Sequence, residues 1–98
     1  MSDVRVVRME HHLAAAARST RLPAARVRHY VRIGIVTPVD VRGRTIYFGE
    51  AELARLRRIR RLEADLGLDA AGVEVVMRLL DEIDALRAAL ETQVPSSR

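Results

Sequence analysis

"RVRHYVRIGIVTP", residues 26–38, is the stretch on which the fold turns. Ala24, Val27 and Val31 recur at three- and four-residue spacing, which gathers them on one face of an α-helix. Arg28 and Arg32 stand one turn apart beside that face. Gly34 is a natural stop, because glycine enters the left-handed conformation that ends helices. Ile35, Val36 and Pro38 then lead into extended chain. Upstream, "MEHHLAAAAR" (9–18) is alanine-rich and predicts a short helix. "STRLP" (19–23) interrupts it. Ser19 or Thr20 is expected to cap the second helix, and Pro23 is tolerated in a first turn.

Two short helices joined this way form a helix-turn-helix. Downstream, "VDVRGRTIYF" (39–48) alternates around Arg42, Gly43 and Arg44, the pattern of a tight β-hairpin. Two strands alone are marginal, so this hairpin must lean on helices as a wing. "EAELARLRRIRRLEADLG" (50–67) carries a stripe of Leu53, Leu56, Ile59 and Leu62, with Leu66 one turn further. Arginines 55, 57, 58, 60 and 61 cover the rest of that helix, and Gly67 ends it. Asp69 is placed to cap a last helix over 70–91. Its Val76, Leu79, Ile83, Leu86 and Leu90 alternate in steps of three and four, a heptad seam. Val73, Met77 and Leu80 widen it toward the rest of the domain. The seam exceeds what one small domain covers. It suits a second copy, antiparallel or parallel, and an intramolecular hairpin with helix 50–66 is compatible with either. The fold class is therefore mostly α: a winged helix-turn-helix, a long helix, and a C-terminal coiled-coil-type helix. Residues 1–8 read as an N-terminal arm, 9–67 as the winged unit, 68–91 as a dimerisation or partner helix, and 92–98 as a disordered tail.

Ninety-eight residues make one domain, and with 49% hydrophobic but 3% aromatic residues its core must be aliphatic. All 17 basic residues are arginine, and the net charge is +4. The charge is unevenly spread. Residues 1–61 hold 14 arginines against 5 acidic residues, a net of +9, and residues 62–98 hold 3 against 8, a net of −5. A basic end suits an anionic surface. Two solvated helix faces of opposite sign would give the same split. With no apolar run long enough for a bilayer and charges where a signal peptide is apolar, a soluble cytoplasmic protein is expected.

Catalytic and ligating chemistry is sparse. There is no cysteine, so disulfides and thiol catalysis are excluded. His11 and His12 are adjacent and His29 is distant, with no carboxylate spacing to complete a metal site. The glycines form no phosphate loop, and no nucleophile has a partnering histidine. Tyr30 and Tyr47 suit half-buried packing as well as a contact role. No enzyme, cofactor, metal or small-molecule ligand is expected.

The order helix, turn, helix, hairpin, long helix, coiled-coil helix resembles the MerR-type winged-helix family over most of residues 9–91. "RVRHYVRIGIVTP" is similar to that family's Arg-x-Tyr recognition segment, and "FGEAELARLRRIRRL" (48–62) to its hairpin exit and third helix. A closer resemblance, to chaperone modulators of CbpM type, rests on Leu66, Gly67, Leu68, Asp69 and Gly72, then Leu79 to Ile83 and Leu86. The run Phe48–Leu86 follows that spacing without a gap. This closer resemblance implies a small dimer that binds the J-domain of a DnaJ-like co-chaperone and inhibits its stimulation of Hsp70. Asp81, Glu82 and Asp84 would then meet a basic J-domain helix. The broader resemblance implies instead a regulator that binds duplex DNA, with Arg28, Tyr30 and Arg32 at phosphates and Arg42 and Arg44 at the wing tip. Arg21 stands where that family usually has glycine in the first turn, so a different turn is expected here. Ile46 stands where its wing usually presents arginine.

Overall fold

The computed structural model describes residues 10–93. Four helices and three short strands follow in the order β1 (His11–His12), α1 (Leu13–Thr20), α2 (Ala24–Arg32), β2 (Asp40–Arg42), β3 (Thr45–Phe48), α3 (Glu50–Leu66) and α4 (Ala70–Gln93). The predicted N-terminal arm and the end of the predicted tail lie outside the described residues. Thr92 and Gln93, assigned to that tail, are the last two residues of α4.

The first helix begins later than alanine content suggested. His11 and His12 pair antiparallel with Phe48 and Tyr47, so the hairpin becomes a three-stranded sheet of order β1-β3-β2. Backbone N–H and C=O groups along the outer side of β3 need partners, and the extended chain ahead of α1 supplies them. The His12 imidazole then accepts from Ala15 N–H at 3.2 Å and caps α1.

The turn between the first two helices corrects two expectations. Ser19 and Thr20 do not cap α2, because they are the last two residues of α1. The buried Thr20 hydroxyl donates back to Ala16 C=O at 2.7 Å. Pro23 takes the cap position of α2, and its carbonyl accepts from Arg26 and Val27 N–H. Arg21 does not give a different turn. It adopts the left-handed conformation itself, with φ 62° and ψ 28°. The following Leu22 N–H reaches back to Ala17 C=O at 3.2 Å, and its side chain is buried. Burying Leu22 and satisfying the last carbonyls of α1 offset the steric cost at Arg21.

The other boundaries follow the sequence closely. Gly34 ends the second helix with φ 81°, and Gly67 ends the third with φ 68°. Glu52 folds back to accept from Gly49 N–H at 2.8 Å and closes the start of α3. Asp69 Oδ1 accepts from Gly72 N–H at 2.9 Å and caps α4 as expected. Leu53, Leu56 and Ile59 of α3 enter the core with Val27, Tyr30, Phe48, Val73 and Met77. Leu66, placed on the same stripe, is the last residue of α3 and is 66% exposed. Beyond Leu80, α4 leaves the body and exposes Ile83, Leu86 and Leu90. Among the described residues no helix is long and apolar enough to cross a membrane.

Candidate nucleic-acid interface

Helix α2 packs through Val27 and Tyr30 and turns Arg28 and Arg32 outward. The hairpin turn sets Arg44 across from them. Between the two lies an open cleft of about 890 Å³. Leu13, Ala14, Val31, Ile46 and Tyr47 form its apolar side, and Arg28, Arg32 and Arg44 its charged margin. His12 and Thr45 complete the lining. Alternation along β3 brings Thr45 and Tyr47 to one face, which the sequence pattern contained. His12 enters through β1, which alanine content concealed.

The ion pairs separate the arginines into two groups. Arg26 binds Glu63 at 2.8 Å, Arg55 binds Asp81 at 2.7 Å, and Arg78 binds Glu74 at 2.9 Å. Arg42 binds Glu10, binds Asp40 at 3.1 Å, and lies 3.9 Å over the Tyr47 ring. Among the described residues Arg28, Arg32 and Arg44 form none of these ion pairs, and all three are exposed. Guanidinium groups are the chemistry that pairs with anionic oxygens, and three of them border one cleft here.

Two expected contact residues do not belong to that set. Tyr30 is wholly buried, and its hydroxyl donates to Glu63 Oε2 at 2.6 Å. Burial first, and then the Glu63 carboxylate, push its pKa well up. It holds α2 against α3 rather than facing a ligand. Arg42 is balanced by two carboxylates and braces the wing. Glu63, unremarked in the sequence, joins α3 to α2 by accepting from Tyr30 and Arg26. It stands with Asp65 in the last turns of an arginine-covered helix, and only Glu63 faces α2.

The acidic residues of α4 do not share one face. Asp81 accepts from Arg55 Nη1 and Nη2, and the adjacent arginine holds its carboxyl below the usual range. Asp84, one turn on, borders a groove with Arg55, Arg58 and Arg61. Glu82 points elsewhere, since neighbouring residues on a helix diverge by about 100°. Arg55 also donates from Nε and Nη2 to Ile35 C=O at 3.0 and 2.8 Å, so this one side chain of α3 joins the loop after α2 to Asp81 of α4. In the seam, Leu79, Ile83, Leu86 and Leu90 are exposed and Val76 is half-buried. Among the described residues no group of three or more histidine, cysteine or acidic side chains is placed to hold a metal ion.

Two short helices joined by a tight turn, a small sheet packed beside the second, and exposed Arg28 and Arg32 on that helix define a winged helix-turn-helix protein. The chain belongs to the MerR HTH family of regulatory proteins, whose sequence profile matches residues 5–92. It is 28% identical over 76 residues to a protein of Streptomyces coelicolor described as "Putative heat shock protein HspR". That match covers 78% of this chain and 50% of the relative, so the chain spans about half the relative's length.

Proposed function

We propose that this protein is a homodimeric, cytoplasmic regulator of the heat-shock system that binds duplex DNA through α2 and the wing. One observation carries the proposal: Arg28, Arg32 and Arg44 surround one cleft with no intramolecular counter-charge among the described residues. Arginines left uncompensated beside a groove-sized helix release condensed counterions when they meet phosphates, and that release favours binding. The apolar side of the cleft sets the register at which the wing meets the backbone. The relative's description supports the heat-shock assignment.

The dimer forms through Val76, Leu79, Ile83, Leu86 and Leu90, a ridge that no element of the same chain covers beyond Val76. Changing Ile83 and Leu86 to Asp sets charge in that seam and yields monomers by light scattering. Titration with duplex DNA at low and moderate salt tests the DNA assignment. Submicromolar binding that weakens steeply with salt is expected, and no binding at low salt overturns it.

A second reading is favoured by the junction at Leu66–Gly72 followed by the Leu79–Leu86 run. In it the protein modulates a co-chaperone, occupying a J-domain surface and denying it to Hsp70. Asp81, Glu82 and Asp84 would contribute, although Asp81 must first leave Arg55. Pull-down with a purified J-domain decides this. Capture no stronger than that of an unrelated protein of equal charge removes the modulator reading.

A further inference from the structure

We infer that the outer face of α3 is a second anion-binding surface, separate from the cleft beside α2, and that it takes an acidic segment of another protein. Ala54, Arg57, Arg58 and Arg61 follow the three-and-four spacing of one helix face. That face is turned away from Leu53, Leu56 and Ile59, which enter the core, and all four of its residues are exposed. With Arg55 and with Asp84 of α4 they line a groove of about 340 Å³ that shares no residue with the cleft. The inference therefore stands apart from the DNA reading.

The arginines of the groove differ in what they already hold. Arg55 is engaged by Asp81 and by Ile35 C=O. Among the described residues Arg57, Arg58 and Arg61 form no ion pair, and Arg57 donates to the Ser19 hydroxyl at 3.3 Å. Arg61 stands four residues from Arg57 and three from Arg58, so these like charges repel one another along the helix. A carboxylate set between them turns that repulsion into attraction.

Asp84 selects the kind of anion. A phosphate backbone brings only acceptors and negative charge, which a carboxylate at the groove edge opposes. A peptide brings carboxylates for the guanidinium groups and backbone N–H donors for Asp84. No aromatic side chain lines the groove, so no base is offered a ring to stack on. Arg57 and Arg61 lie about 6 Å apart along the helix axis. Alternate residues of an extended chain are about 7 Å apart, so their carboxylates reach successive turns of α3.

The test titrates fluorescein-labelled decaglutamate at low salt into the whole 98-residue chain, with anisotropy as the readout. Saturable binding is expected. R57A/R58A/R61A should weaken it roughly tenfold by removing three exposed charge pairs, while R28A/R32A/R44A should leave it within about twofold. Circular dichroism checks the fold. If the α3 triple variant unfolds, R58A/R61A, which keeps Arg57 on Ser19, should still weaken binding roughly fivefold. No binding to the unaltered protein overturns the inference. Equal weakening by the two triple variants overturns it too, since the peptide is then responding to total charge. If the α3 variant loses duplex DNA rather than the peptide, the face serves nucleic acid and the inference fails. A fall in the oligomer mass of that variant by light scattering assigns the groove to a second copy and likewise overturns it.

Discussion

The proposed DNA contact makes a quantitative demand on Arg28, Arg32 and Arg44. The three arginines around the cleft of each chain would place six at the phosphates if two copies bind together. Each neutralised phosphate contributes about −0.9 to the slope of log K against log salt, so a slope near −5 is expected from these residues alone. Between about 50 and 200 mM salt, that slope weakens binding roughly a thousandfold. Arg28→Ala would remove two contacts from the proposed dimer and should reduce the slope by about 2, and the triple alanine variant should reduce it by about 5. Fluorescence anisotropy on a labelled duplex, repeated across a salt series, reads this directly. Arg78→Ala is the control, because it removes the same charge from α4, where Glu74 already compensates it. If the control lowers the slope as much as Arg28→Ala, the protein is responding to total charge and the cleft assignment fails.

Three further outcomes concern stability. Met77→Ala should cost about 2–5 kcal/mol in chemical denaturation, since Met77 is fully buried between α4 and the body, and a loss below about 0.5 kcal/mol would mean that α4 does not pack there. Arg21→Gly should raise stability by up to about 1 kcal/mol, because glycine accepts the left-handed turn without the side-chain clash, and a net loss would contradict the observed φ of 62°. Arg55→Met should destabilise the protein at neutral pH by two routes, loss of the Asp81 pair and loss of both donors to Ile35 C=O. The Asp81 carboxyl is held low by Arg55, so its contribution is present above the ordinary carboxylate range and lost as pH falls through the lowered value. The gap between the two proteins should therefore narrow in acid without closing; a gap that widens in acid reverses the sign of the Arg55–Asp81 coupling.

Local signals made most of the architecture legible. The α2 stripe, the Gly34 and Gly67 stops, the hairpin centred on Gly43, and the Asp69 cap each depend on neighbours within a few residues. What escaped was non-local. His11 and His12 form a strand because β3, more than thirty residues later, offers unpaired backbone groups, and no window around "MEHHLAAAAR" contains that information. Arg21 could be recognised as unusual, but the burial of Leu22 that makes its conformation tolerable could not.

The candidate site divides the same way. Composition and spacing alone determined that arginines would line the second helix and the wing, that the last helix would carry an apolar ridge, and that the two halves would differ in charge. Only the tertiary structure decided which arginines keep their charge for another molecule. Arg26, Arg42 and Arg55 are neutralised by Glu63, by Glu10 with Asp40, and by Asp81, while Arg28, Arg32 and Arg44 are not. The reason is that an ion pair is a relation between two points in space: a helix sets the direction in which each charge leaves the backbone, but the packing of one helix on another determines what it meets there.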